Sequence, residues 1–279
     1  MLGKLFKYEW KSFWKVPAAI NVFLLIITFI GAVSLLSPFW ELDFEIMDTF
    51  MVVAIMFYYL ALMAGSIAVA VYIAIRFYKN VYTDEGYLTN TLPVSPRDII
   101  FSKLFVSVIW SIITGIVICF SIFFILIAAM KDYINTYEVV NVWQEIKREV
   151  LPVMEEVFGN LVVFVLFIIL LMIITTFFSI LMMYSAVSLG QMFTKHKVAG
   201  AVIWYVAEYV IVQFSSSMLM NIPLLGIISD PYAADTMTPA AVGTLIKLIL
   251  VGSGIISIIV GTLLYFLTEY MMRRKLNLD

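Results

Sequence analysis

Charge is scarce in this sequence. Of 279 residues only 13% are charged while 63% are apolar, and so little polar surface cannot cover a water-soluble core. Cysteine is nearly absent. Cys119 is alone and sits inside an apolar run, which excludes disulfides within the chain and thiolate metal clusters. Histidine is equally rare, and His196 stands between Lys195 and Lys197, a setting that reads as a solvated basic turn. No G-x-x-x-x-G-K-[ST] phosphate loop occurs. Alternation with a period of two, the mark of a membrane barrel, is missing, as are internal repeats of about 20 to 50 residues. The charged start is too long for a cleavable signal peptide, and no small-residue cleavage site follows it. No histidine cluster, paired intramembrane acids or Ser/Lys dyad supports an intramembrane enzyme, so a non-catalytic chain is expected.

What is present is apolar length. Six runs, Val16 to Leu36, Phe50 to Ile75, Leu104 to Met130, Leu161 to Leu189, Val198 to Met220 and Leu248 to Leu267, each suffice to cross about 30 Å of hydrocarbon as helix. Five carry no formal charge. Lipid offers the backbone no hydrogen bonds, so such runs must satisfy themselves as helices. The expected fold is therefore an all-α integral membrane protein with six transmembrane helices. The intervening segments alternate in charge: 1–15, 76–103, 190–197 and 268–279 hold 13 of the 17 Lys and Arg, which places them in the cytoplasm with both termini. Formal charge then comes to about +7 inside and −9 outside.

Residues 1–15 form the first division, an interfacial amphipathic helix, and residues 16–279 the transmembrane domain. At 100° per residue Lys4, Lys7, Lys11 and Lys15 share one face, with Leu2, Leu5, Phe6, Trp10, Phe13 and Trp14 opposite. The lysines are expected toward lipid head groups. Glu9 falls among the apolar residues and needs a cation, for which Arg76 and Lys79 are candidates; a structural ion pair and a role in transport are both open. Pro17 suits a break before the first crossing. In the inner loop 76–103, the hydroxyl and carboxylates of Thr83, Asp84 and Glu85 suit the start of a short helix carrying Tyr87 and Leu88, ended by Pro93. Ser95, Pro96 and Asp98 then read as the start of the next long helix. The outer loop 131–160 predicts one or two amphipathic helices interrupted near Pro152. The outer stretch 221–241, with its prolines and apolar residues, reads as a piece that dips into the leaflet without crossing. Small residues recur as Ala61, Gly65 and Ala68 in the second span and as Gly254, Ser257 and Gly261 in the last, permitting close helix packing.

Glu208 is the one acid in the middle of a span. Such a group faces a wet cavity or another helix, and Trp204, Tyr205 and Ser215 share its face. Two readings stand side by side: a residue lining a path for substrate or protons, and a carboxyl that fixes packing by hydrogen bonding across helices.

The run TDEGYLTNTLPVSPRD after Arg76-Phe-Tyr-Lys, together with the opening MLGKLFKYEWK, resembles the ABC-2-type ABC transporter permeases of Gram-positive bacteria. The likeness covers essentially the whole chain in its plan of helices. It implies a type V exporter-like fold in the bacterial cell membrane, a second permease copy or paralogue, and two separate ABC ATPase subunits that bind the ATP and magnesium; this chain would hold no cofactor. Asp84, Glu85, Gly86, Tyr87 and Leu88 would be the coupling helix that docks on the ATPase, and Glu208 with Trp204 and Tyr205 would lie on the translocation path. Such permeases move sodium, drugs, lipid-linked glycans or amphipathic peptides such as phenol-soluble modulins and lantibiotics. A hydrophobic or amphipathic peptide is favoured here, with membrane lipid as a further partner and no nucleic acid. The alternative from another class is an ion-coupled secondary transporter or channel with Glu208 as proton site.

Overall fold

The computed structural model describes residues 2–37, 45–83, 85–86, 94–129, 144–145, 147–148, 151–228 and 238–274. Its described residues set out eight helices and no strand: α1 Leu2–Phe13, α2 Lys15–Leu35, α3 Glu45–Tyr82, α4 Pro96–Ala129, α5 Leu151–Phe158, α6 Leu161–Gly190, α7 Lys197–Ile228 and α8 Pro239–Arg274. Six of them, α2, α3, α4, α6, α7 and α8, are long and apolar enough to cross a membrane. The burial pattern is that of a protein in lipid. Phe29, Phe57, Val162 and Phe214 are each about two-thirds exposed, whereas Asn21, Thr28, Thr114, Ser185, Ser188, Thr268 and Glu269 are buried. In water the reverse sorting holds. In lipid apolar side chains face outward, and hydrogen-bonding groups hold the helices to one another. The chain is a multi-pass helical membrane protein.

The chain divides into two compact units, Met1–Arg76 with Asp98–Val140, and Phe77–Arg97 with Asn141–Asp279. In the first, Leu24, Ala32 and Leu35 of α2 pack with Tyr58 and Leu62 of α3 and with Ile125 and Ala128 of α4. Two buried polar contacts fix the register of these apolar surfaces. Asn21 Nδ2 donates to Thr114 Oγ1 at 3.1 Å. Thr28 Oγ1 donates its only hydrogen to the Leu24 carbonyl, so at 3.3 Å the Tyr58 hydroxyl acts as donor to Thr28.

The break between α1 and α2 falls at Trp14 rather than at Pro17, and it is slight. Trp14 stays in the helical region of backbone space, and its N–H bonds the Trp10 carbonyl. Pro17 is the third residue of α2, where a missing N–H is tolerated. The carbonyl that this N–H would have bonded belongs to Phe13, and the Tyr72 hydroxyl of α3 donates to it instead, at 3.4 Å. One proline thus converts a local helix bond into a contact between helices.

In the second unit α6 packs against α7 and α8, and α5 against α6 and α8. The small face of the last span lies on α6, with Gly254 against Leu171 and Gly261 against Phe178 and Leu181. Pro152 is the second residue of α5, a first-turn position in which proline is at ease. The stretch expected to dip into the leaflet differs: residues 221–228 continue α7 as helix, through Pro223, and Pro239 opens α8. Residues 229–237 of that stretch lie outside the described residues. So do residues 131–143 of the second outer loop.

The connection from α5 to α6 is two residues long. Gly159 adopts φ +89°, open to glycine without strain, and Asn160 then caps α6, its Oδ1 accepting from Val163 N at 2.8 Å. On α8, Lys247 Nζ donates to the Val157 carbonyl at 2.6 Å and stands 5.3 Å from the Phe158 ring centre. The cation thus meets the negative end of α5. Replacing Asn160 by Ala is expected to lower stability by about 1 kcal/mol, while Asn160→Asp retains most of it; the midpoint of thermal unfolding in detergent measures both.

Candidate functional site

Three groups of polar residues stand out from the apolar helices. The first surrounds the segment between α3 and α4. Of its sequence-predicted residues, Glu85 and Gly86 are described, and Asp84, Tyr87 and Leu88 lie outside the described residues. Glu85 is exposed and Gly86 buried. The chain turns sharply here, with Gly86 N bonding the Thr83 carbonyl at 2.7 Å. A Cβ on Gly86 would sit 2.4 Å from the Val81 carbonyl oxygen, so only glycine lets the segment close onto the end of α3. The Thr83 hydroxyl donates backward, to Lys79 O at 2.6 Å. It serves a carbonyl at the C-terminal end of α3, and Glu85 and Gly86 just beyond it are helical.

Both flanks of this segment are fastened to long helices of the same unit. On the α3 side, Phe77 stacks on Tyr184 of α6 with ring centres 3.9 Å apart, and the Tyr82 hydroxyl donates to Ser188 Oγ at 2.8 Å, Ser188 having spent its own hydrogen on Tyr184 O. All four side chains are buried. On the α4 side, Arg97 Nε donates to Glu269 Oε1 of α8 at 2.8 Å, and Arg273 Nη2 reaches the same oxygen at 2.7 Å. Glu269 is buried, whereas the two arginines are about half exposed. A buried carboxylate held by two guanidiniums is costly to break, since removing them leaves its charge uncompensated.

The second group surrounds Glu9. Its Oε2 accepts from Lys103 Nζ of α4 at 2.8 Å, and its Oε1 lies 3.9 Å from Arg76 Nε. Lys103 takes the position that the sequence reading gave to Lys79. Side-chain exposure is 6% for Lys103 and 13% for Glu9, so this is a buried pair. Around it Trp10 of α1 meets Trp110 of α4 at 5.6 Å between ring centres, Phe13 meets Tyr72 edge-on at 5.0 Å, and Arg76 donates to Ser12 Oγ. Arg76 thereby also places a cation at the C-terminal end of α1.

The third group is Glu208 of α7 with Ser185 of α6. The fully buried Ser185 Oγ lies 2.8 Å from Oε1 and 2.7 Å from Oε2, and 3.0 Å from the Met182 carbonyl. One hydroxyl has one hydrogen for three acceptors. Trp204 and Tyr205 share the Glu208 face of α7: the Trp204 indole N–H is buried with no hydrogen-bond partner among the described residues, and Tyr205 is partly exposed. Ser215 turns its hydroxyl back to the Ile211 carbonyl.

Lys103, Ser185 and Glu269 were not singled out from the sequence. A signal existed for Lys103: it shares spacings of four, three and four with Ser107, Trp110 and Thr114, a buried stripe on an otherwise apolar helix. Glu269 is the one acid of the last span and stands four residues before Arg273. His196 is exposed in the turn between α6 and α7, as its lysine neighbours implied. Among the described residues no group of three or more His, Cys, Asp or Glu is placed to hold a metal ion.

Comparison of the chain with protein-family models, with curated proteins and with solved structures finds no match.

Two outcomes test these groups. Lys103→Met is expected to destabilise the protein by about 3 kcal/mol because Glu9 is left largely buried with only the longer Arg76 contact, and adding Glu9→Gln recovers much of the loss; unfolding midpoints of the four variants of the cycle decide it. Glu208→Gln, whose amide supplies hydrogens to Ser185, is expected to keep the wild-type stability, while Glu208→Ala lowers it by about 1–3 kcal/mol, as read from unfolding in detergent.

Proposed function

We propose that this chain is the permease subunit of an ATP-driven ABC exporter, forming with a second permease the path for a hydrophobic or amphipathic substrate, a peptide in preference to a sugar. One observation carries the reading. The segment with the TDEGYLTNTLPVSPRD sequence joins two membrane-length helices and is fastened on both flanks to long helices, through Phe77 and Tyr82 to α6 and through Arg97 to α8. Motion of Phe77, Tyr82 or Arg97 is passed to α6 and α8 through these contacts. The surplus of Lys and Arg in the segments beside it puts it on the cytoplasmic side in this reading, within reach of a soluble ATPase.

In the mechanism that follows, exposed Glu85 and its neighbours Asp84, Tyr87 and Leu88 engage a cleft of the ATPase. Closure of the ATPase pair on ATP draws the two segments of the permease dimer together. The stacked Phe77–Tyr184 pair and the Arg97–Glu269 pair carry that motion into α6 and α8, and α6 meets Glu208 of α7 through Ser185. A tagged chain taken from its native membrane is expected to retain an ATPase in stoichiometric amount. Glu85→Lys is expected to abolish substrate-stimulated ATP hydrolysis without unfolding the permease; normal stimulation in that variant defeats the assignment.

The Glu208–Ser185 contact favours a second reading, an ion-coupled carrier in which Glu208 takes up the ion. Transport by the chain alone in liposomes, driven by a pH gradient and abolished by Glu208→Gln, selects that reading over the first.

A further inference from the structure

Helix α1 has two faces with different occupants. Glu9 and Phe13 lie on the side turned to α3 and α4, where Lys103, Arg76 and Tyr72 hold them. On the opposite side Lys4, Lys7 and Lys11 are all exposed, with Tyr8 between them at 71% exposure. The stripe runs on into Lys15, the first residue of α2, across the single residue Trp14, which is 44% exposed. Because Glu9 and Phe13 are already engaged by the protein, what α1 offers its surroundings is chiefly these ammonium groups, with Leu2 and Tyr8 exposed beside them. The covalent step from α1 into a membrane-crossing helix sets their depth. That depth is the head-group layer, where exposed Trp and Tyr side chains also settle.

We infer that the Lys4–Lys7–Lys11–Lys15 stripe of α1 is a binding surface for the phosphates of anionic lipid, selective for lipid charge over hydrophobic insertion. Charge complementarity identifies the occupant: four cations follow one another at spacings of three and four residues with no acid on that face, which suits a row of phosphodiesters and gains nothing from zwitterionic head groups. A bound lipid presses α1 onto α3 and α4, so that the Glu9–Lys103 pair and the lipid contact stabilise the same seating of the helix. This inference is independent of what the protein transports.

The test uses the full chain purified from mixed phosphatidylcholine and phosphatidylglycerol nanodiscs, with native mass spectrometry counting the lipids retained. Phosphatidylglycerol is expected to be enriched over its share of the mixture, and Lys7→Gln with Lys11→Gln to cut that enrichment by roughly fivefold for each lysine removed. Equal loss of charge at Lys195 and Lys197 is expected to leave it in place. Molar salt applied to the wild-type protein is expected to remove the enrichment without any substitution, which covers the case in which the variant fails to fold. Absence of enrichment in the wild type, or equal retention by the α1 and the Lys195/Lys197 variants, overturns the inference. So does an enrichment that persists in molar salt.

Discussion

A charge withdrawn from water must find a counter-charge or a free carbonyl, and that requirement decides which helices of this protein meet. Its apolar surfaces are interchangeable, since one leucine face packs on another nearly as well as on lipid. Its few buried charges are not. Glu9 selects α4 through Lys103, Glu269 selects the start of α4 through Arg97, and Lys247 selects the C-terminal end of α5. Such pairs add little net stability when they form, yet each is expensive to break on one side. Their contribution is to specify one arrangement among many of similar energy.

The spans were legible because hydrocarbon imposes a crude demand, an unbroken apolar run, and six such runs are in the sequence. Their ends were less legible. Helices α3, α4 and α8 extend well past the apolar stretch at one or both ends, since beyond the hydrocarbon a helix needs only its own backbone bonds and no apolar side chain marks where it stops. That continuation explains why Lys103 was read as a loop residue. In a helix beginning at Pro96 it lies two turns in and faces α1, and so it displaces Lys79 as partner of Glu9. The need of Glu9 for a cation could be read from its place on the helical wheel, while the identity of the cation depended on packing between distant segments. For the same reason Ser185 escaped notice. Serine in an apolar run is common, and only the crossing of α6 and α7 brings this one to Glu208.

Polar side chains in this protein also answer to the backbone. Pro17 withholds an N–H from Phe13 and Tyr72 supplies the hydrogen; Thr83 closes the end of α3; Lys247 closes the end of α5; Asn160 opens α6. Where a chain in water leaves its helix ends to solvent, a chain in lipid has to provide for them from its own side chains. Much of the sparse polar content is thereby engaged in architecture. The lysine stripe of α1 stands apart, its side chains exposed.

The ion pair between Arg97 and Glu269 joins residues 172 apart in the chain. At about 5–20 residues per second, synthesis takes roughly ten to thirty seconds to pass from one to the other. Throughout that interval the arginine at the head of α4 is without its carboxylate, and the Phe77 and Tyr82 side waits about three-fifths as long for α6. The segment that carries Glu85 is therefore among the earliest parts made and the last to be secured. Its final seating reports that the chain has been made and inserted as far as α8.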